Sequence, residues 1–179
     1  MRIVLTLSIA ALMLAPVHAA PRQAAAAPDP EHAALARLAG EWSVRQSFWT
    51  TPGAPPKIDR GTASFALVLG HHLRQTLRIP AADKPFEGLG YIGYDNATGR
   101  FFSTWMDVNF PGLIVADGSR DASGVYEFRG SMADPTGKAA IPVREVLRIA
   151  DADHFTYEYF EPGEGREMLT VRLEYSRVR

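Results

Sequence analysis

The feature that most constrains this chain is a series of short segments in which apolar and polar residues alternate. They begin after Gly40 with EWSVRQSFW and continue to REMLTVRLEYSR near the C-terminus. Alternation with a period of two is typical of β-strands that bury one face. Turn-forming sequences separate the segments: TTPGAPP, DNATG, DASG, ADPTG, DAD and EPGEG. Roughly ten short strands with no helical segment between them predict an all-β, antiparallel barrel or sandwich.

The N-terminal residues predict export. Arg2 precedes the apolar run IVLTLSIAALMLA, and VHA supplies small residues for cleavage near Ala19. Residues 1–19 are therefore interpreted as a signal peptide, and the alanine- and proline-rich residues 20–28 as a disordered leader. A single β-barrel domain is expected over residues 29–179. The expected location is the periplasm or the exterior of the cell.

Charge and composition exclude several classes of function. The formal net charge of −1 and the absence of a basic tail argue against nucleic acid as a partner, and no second apolar run could span a membrane. The chain has no cysteine, which excludes thiol catalysis and thiolate metal sites. It also has no G-x-S-x-G nucleophile elbow, and the segment DGSRD around Ser119 is interpreted as a hairpin. The oligomeric state stays open.

The histidines have no metal-site spacing. After Ala19 the chain has four, His32, His71, His72 and His154, without a His-x-x-x-His pattern, so no metal site is predicted. His71 and His72 are expected to be neighbours on one strand and to point to opposite faces. One of them could then face a barrel cavity.

Three glycines, Gly88, Gly90 and Gly93, have the G-x-G-x-x-G spacing of a dinucleotide-binding turn. That function needs a strand followed by a helix, whereas FEGLGYIGY is itself strand-like and leads into the hairpin sequence DNATG. We therefore expect these glycines to relieve crowding where a strand bends, and to leave room for an aromatic ring or a ligand.

The start of the predicted barrel resembles the opening of lipocalins. DPEHAALARLAG has the signals of a short helix, with Asp29 as its cap, Pro30 at its first position and Gly40 at its end. Gly40-Glu41-Trp42 then resembles the lipocalin Gly-x-Trp motif. In lipocalins a late arginine lies across this tryptophan, and Arg177 is the matching residue here.

Longer stretches resemble the bacterial family known as domain of unknown function 1579. The matching segments are LAGEW, FEGLGYIGYDNATGRFFSTWMD, GVYEFRGSMADPTGK and VREVLRI. The resemblance implies a calycin-like β-barrel and brings no catalytic residues. Nitrobindin-like barrels are similar in architecture only. They hold haem through one histidine, so haem remains a hypothesis here and no other cofactor is predicted.

The alternating faces predict a barrel interior that is apolar and aromatic, with a few polar groups. The predicted faces are Leu73, Gln75, Leu77 and Ile79; Val143, Glu145, Leu147 and Ile149; and Leu169, Val171, Leu173 and Tyr175. Asp107 ends a predicted strand and is interpreted as a turn cap, with contact to a ligand or to a buried arginine such as Arg144 as the alternative. Glu161 and Glu164 are expected to be solvated. The cavity candidates are Gln75, Tyr91, Trp105, Asp107, Glu145, Tyr157 and Tyr159.

This interior favours non-covalent binding of a small hydrophobic or aromatic molecule by an exported protein. Two alternatives stay open. One is an enzyme that uses Asp107, Glu145 or a tyrosine as a general acid or base. The other is a structural or interaction module of the cell envelope with a filled barrel.

Overall fold

The computed structural model describes residues 29–80, 84–134 and 136–179. The predicted signal peptide and leader lie outside the described residues. One helix, α1 (Pro30–Ala36), precedes ten strands. The strands are β1 (Gly40–Phe48), β2 (Lys57–Val68), β3 (His72–Ile79), β4 (Phe86–Asp95), β5 (Arg100–Asp107), β6 (Phe110–Arg120), β7 (Tyr126–Met132), β8 (Ile141–Ile149), β9 (His154–Pro162) and β10 (Glu167–Arg177).

The strands form a closed antiparallel barrel, which confirms the predicted fold class. Each strand pairs with the next along the chain, and β1 also pairs with β10, where Trp42 lies opposite Arg177 and Phe48 opposite Val171. Closure leaves no unpaired sheet edge. None of the helices in the described ranges is long and apolar enough to cross a membrane.

Strand β6 was not expected, and the segment DGSRD lies at its end, where β6 leads into the β6–β7 hairpin. Ser119 lies inside β6, opposite Glu127 of β7. Gly118 makes room for a ring, because a Cβ there would lie 2.5 Å from Cδ1 of Phe128. Gly118 is therefore a packing residue within a strand.

Helix α1 closes one end of the barrel. Asp29 caps it by accepting a hydrogen bond from the Glu31 amide at 2.9 Å. The helix ends at Ala36, earlier than the Gly40 stop suggests, and the chain passes through one turn into β1. Leu35 and Leu38 are fully buried, so this short element stays folded by packing rather than by helix propensity.

Trp42 and Arg177 complete this closed end. The Arg177 guanidinium lies 4.1 Å from the Trp42 ring centroid and donates to the carbonyls of Ala39 and Arg37 at 2.8 and 2.7 Å. A Cβ at Gly40 would lie 2.7 Å from Nη1 of Arg177. The arginine thus ties the last strand to the helix connection across the tryptophan.

The two halves of the barrel differ in how completely their interiors are covered. The closed half, next to α1, contains Trp42, Phe155 and Tyr175, which are at most 2% exposed. In the opposite, open half the inner-face residue Phe48 is 39% exposed, and Trp105 is only half-buried. A ligand would therefore have to enter through the open half.

A bulge in β10 corrects one predicted face. Leu169 pairs with Phe160, whereas Val171 pairs with Tyr159, and the register shifts between them. The extra residue at the bulge puts Leu169 on the outer face and leaves Val171, Leu173 and Tyr175 on the inner face.

Candidate functional site

A buried polar cluster lies across the middle of the barrel. Glu145 of β8 is 3% exposed, and its Oε2 accepts hydrogen bonds from the hydroxyls of Ser103 on β5 and Tyr157 on β9. Three strands that are not all neighbours in the barrel thus converge on one carboxyl group. We refer to Ser103, Glu145 and Tyr157 as the carboxyl cluster.

Burial dominates the electrostatics of this cluster. It raises the pKa of Glu145 above its usual range, although the Ser103 and Tyr157 hydrogen bonds act in the opposite direction. Burial, followed by the charge of Glu145, also raises the pKa of Tyr157 well above its usual value. Tyr157 therefore keeps its proton and remains a donor to the carboxyl group.

A buried polar pair, Gln75 and Tyr175, also lies in the middle of the barrel. Gln75 of β3 donates from Nε2 to the Tyr175 hydroxyl at 2.7 Å, and both residues are at most 5% exposed. Together with the carboxyl cluster, this pair forms the boundary between the packed closed half and the open half. A buried polar group is costly unless it is hydrogen-bonded, and these groups bond to one another.

Trp105 lies flat on the inner wall of the open half. A Cβ at Gly88 would lie 2.1 Å from Cζ2 of the indole, and a Cβ at Gly90 would lie 2.8 Å from its Cε3. The ring is also nearly parallel to that of Phe86, at 16° and 6.5 Å between centroids. The glycines predicted to leave room for an aromatic ring thus face Trp105.

Asp107 holds the edge of this indole. Its Oδ2 accepts a hydrogen bond from Nε1 of Trp105 at 2.9 Å, and its Oδ1 accepts from the backbone amides of Asn109 and Phe110. Arg144, the alternative partner, is instead on the outer face, bonded to Glu167 at 2.7 Å. Asp107 therefore positions Trp105 and shapes the β5–β6 turn.

Gly93, the third glycine of the G-x-G-x-x-G sequence, makes room for side chains on the outer face. A Cβ at Gly93 would lie 2.3 Å from the Phe102 ring and 2.8 Å from Nδ1 of His72. The three glycines thus accommodate the Trp105 ring inside the barrel and the Phe102 ring outside it. This arrangement has nothing in common with a phosphate-binding turn.

The two remaining aromatic candidates lie on different faces. Tyr159 is on the inner face and half-buried, with its hydroxyl 3.7 Å from the Met132 sulfur. Tyr91 pairs with Arg74 and Thr104 on the outer face, so its assignment to the cavity is wrong. Because Gly90 pairs with Trp105 on the inside, strand alternation requires residue 91 to point outward.

Glu161 also differs from the prediction. It ends the inner face of β9, where it is half-buried and accepts a hydrogen bond from the Thr170 hydroxyl at 3.4 Å. Burial raises the pKa of this carboxyl group. Glu164 is exposed in the following turn. The donor Thr170 lies at the bulge of β10, a contact that the turn sequence could not reveal.

Three histidines cluster outside the barrel at its closed end. His71 lies in the β2–β3 turn rather than on β3, so its ring stands 4.3 Å from that of His72, and the prediction of opposite faces is wrong. His32 of α1 contacts the His71 carbonyl at 3.1 Å and the Asn96 side chain at 3.0 Å. A surface groove of about 410 Å³ lies between these residues.

The histidines of the described residues lie outside the barrel. In the described part of the chain, no three histidine, aspartate or glutamate side chains are placed to hold a metal ion. His72 contacts the outer-face residue Phe102, and His154 is exposed beside Asp151. Neither histidine of the 71–72 pair faces the barrel interior.

Ser103 is the site residue that sequence reasoning missed. It lies two residues before Trp105, a predicted cavity residue, so strand alternation alone would have placed it inside. Serine carries little signal in a strand, because a small hydroxyl fits either face. Only the partner Glu145, 42 positions away in the chain, makes it part of a site.

The sequence of the described barrel matches one known family. The model of DUF1579, a family of proteins of unknown function, matches residues 27–177. This chain belongs to the DUF1579 family. A search of the curated proteins gave no match.

One solved structure shares this architecture, and two others match more distantly. Rv2717c from M. tuberculosis superposes with a TM-score of 0.64 and 22% sequence identity, covering 84% of this chain and 99% of that one. A redesigned β-barrel and a de novo designed fluorescence-activating β-barrel match with TM-scores of 0.44 and 0.45, at 12% and 15% identity. They cover 82% and 81% of this chain, and 96% and 97% of their own. The Rv2717c likeness supports the barrel fold.

Proposed function

We propose that this protein is exported and binds a small aromatic or otherwise hydrophobic molecule, without covalent chemistry, in the open half of its barrel. The observation that carries the proposal is the placement of Trp105. Its indole lies against two glycines, its Nε1 is bonded to Asp107, and it remains half-buried. A flat ring that is fixed in position but not fully covered is suited to stack against a planar ligand.

The surroundings of Trp105 have the composition of a small-molecule site. Phe86 and Tyr159 supply further half-buried aromatic surface, and the carboxyl cluster supplies a few polar groups at the inner limit. Sites for small molecules are mostly apolar, with a small number of placed polar groups that orient the ligand.

Binding can be tested with N-phenyl-1-naphthylamine, an uncharged fluorophore that brightens in apolar surroundings. The parent protein should bind it, and Trp105→Ala should weaken binding by about fivefold or more, the value of one aromatic contact. Met106→Ala is the matched control, because Met106 is the next residue of β5 and is 38% exposed on the outer face. Its affinity should equal that of the parent.

Absence of binding by the parent, or equal weakening in both variants, would contradict the proposal. Trp105→Tyr keeps a ring at the site and should retain more affinity than Trp105→Ala, which separates stacking from a general loss of packing. A native mass spectrum of protein taken from the cell without refolding would show whether a natural ligand copurifies.

Export is tested separately, by cell fractionation and N-terminal sequencing. We expect the protein in the periplasmic or secreted fraction, with Ala20 as its first residue. Recovery of the full-length chain from the cytoplasm would overturn this part of the proposal.

A further inference from the structure

Two hydroxyl donors meet on the same oxygen of Glu145. Ser103 and Tyr157 both donate to Oε2, and a carboxyl oxygen has two lone pairs with which to accept. Among the described residues no donor reaches Oε1. When both hydroxyls donate to Oε2, a proton on the carboxyl group lies on Oε1, because both lone pairs of Oε2 are then occupied.

The surroundings of Glu145 disfavour a charge there. None of the lysines and arginines in the described ranges forms an ion pair with Glu145. The arginines near it in sequence pair with other acids, as Arg148 does with Glu158. The titratable groups facing it from neighbouring strands are Tyr157 and Tyr159, with Tyr175 beyond them, and Tyr159 in turn lies near the carboxyl groups of Glu161 and Asp107. A buried carboxylate without a cation is costly, so the neutral acid is the favoured form.

We propose that Glu145 is held as a neutral carboxylic acid whose Oε1 proton is donated to the ligand, so that the barrel selects uncharged aromatic molecules carrying a carbonyl-type acceptor. The ligand class rests on the proposed function, whereas the neutral state of Glu145 does not. The ligand's ring would lie against Trp105, and its oxygen would reach the carboxyl cluster. A ligand carboxylate would bring a second acid to this buried position, and an ammonium group would force a buried ion pair.

The first experiment measures the protonation state without any ligand. The infrared difference spectrum between the parent and Glu145→Gln, at neutral pH, should contain the carbonyl stretch of a protonated carboxylic acid. The same difference measured for Glu164→Gln, which removes an exposed glutamate, should contain carboxylate bands. Carboxylate bands for Glu145 would overturn the inference even if ligands bind.

The second experiment measures selectivity. 2-Acetylnaphthalene and 2-isopropenylnaphthalene have nearly the same shape, but only the first has a carbonyl oxygen. In displacement of N-phenyl-1-naphthylamine, the parent should prefer the ketone by about tenfold, the value of one hydrogen bond to a buried donor. Equal affinities in the parent would overturn the inference.

Variants of Glu145 separate the neutral acid from the carboxylate. Glu145→Gln can still accept from Ser103 and Tyr157 with its oxygen and donate to the ketone with its amide, so it should keep the preference. Glu145→Met removes the donor and should abolish the preference while retaining the fluorophore. Loss of the preference in Glu145→Gln would indicate that a carboxylate is required and would overturn the inference.

The preference should also depend on pH. In the parent it should decline as the pH rises through the pKa of Glu145, whereas Glu145→Gln should show no change over the same range. A parent preference that stays constant into alkaline solution would argue against the carboxyl proton as its source. If the fluorophore fails to bind the parent, the proposed function fails, and the infrared result still decides the state of Glu145.

Discussion

The closed and open halves of this barrel are built from the same ten strands but do different things with their aromatic residues. In the closed half, Phe155 and Tyr175 stack at 4.1 Å, and Trp42 meets Phe155 edge-to-face at 4.6 Å. In the open half, Trp105 rests on glycines and keeps part of its surface uncovered. Aromatic side chains thus stabilise one half and are available for recognition in the other.

The difference comes from what covers each half. Helix α1 contributes Leu35 and Leu38 to the closed half, and Arg177 fastens the helix connection to β10. Within the described residues, the open half is bordered by the turns between strands alone. Burial of apolar surface is the main source of stability, so we expect substitutions in the closed half to affect folding, and substitutions in the open half to affect binding more than folding.

The largest expected effect is that of Trp42→Ala. Trp42 is 1% exposed, and its Nε1 donates to the Leu38 carbonyl at 2.9 Å. Its removal should lower the free energy of unfolding by about 3–5 kcal/mol, as for other large buried aromatics. Denaturant unfolding would measure this, with Trp105→Ala as the comparison. Equal losses for the two variants would break the distinction between the halves.

A smaller loss is expected when a side chain is added beneath Trp105. Gly88→Ala should cost about 1–3 kcal/mol, because the nearest atoms to its Cβ all belong to the indole. In the background of Trp105→Ala this cost should largely disappear. At Gly90 a Cβ would also lie 2.4 Å from the Thr104 carbonyl oxygen, so Gly90→Ala should stay destabilising in both backgrounds.

The unfolding measurements form a double-mutant cycle. Additive costs for Gly88→Ala and Trp105→Ala would mean that the indole does not lie on Gly88.

Gly90→Val should be more destabilising than Gly90→Ala and should also impair binding of N-phenyl-1-naphthylamine. Nicotinamide cofactors should not bind the parent, since the glycines hold a ring.

The pH dependence of stability isolates the carboxyl cluster. The pKa of Glu145 is raised in the folded protein, so the folded state binds more protons than the unfolded state between the two pKa values. The stabilisation is complete below the unfolded pKa and is lost as the pH rises through the folded pKa, by at most about 1.4 kcal/mol per pH unit.

Glu145→Gln should therefore match the parent in acid and become the more stable of the two as the pH rises. Unfolding curves across the pH range would measure the difference. Glu164→Gln, in an exposed turn, should show no such trend. A difference with the opposite sign would mean that the folded protein favours the carboxylate.

The smallest expected effect is that of Asp107→Asn. The amide oxygen can still accept from the backbone of Asn109 and Phe110, but its NH₂ group would face Nε1 of Trp105. Losing that one hydrogen bond should cost about 1 kcal/mol and should weaken fluorophore binding by loosening the indole. An unchanged affinity would show that Trp105 is positioned by the glycines alone.

Local patterns sufficed for much of the fold. Period-two alternation located nine of the strands, and the cap of α1 and the placement of Arg177 over Trp42 follow from short motifs. Local patterns failed where the pairing register or a turn decides the face to which a side chain points. Leu169 changed face because of a bulge, His71 lay in a turn, and Tyr91 pointed outward because its neighbour Gly90 pairs with Trp105.

What the sequence by itself determined is nine of the ten strands, the closed end and most of the residues that face inward. Only the tertiary structure decided which of those residues touch. Ser103, Glu145 and Tyr157 come from β5, β8 and β9 and meet because the barrel closes. Alternation is set by neighbouring residues along the chain, whereas burial of a carboxyl group and the freedom of a tryptophan face depend on what the other strands place beside them.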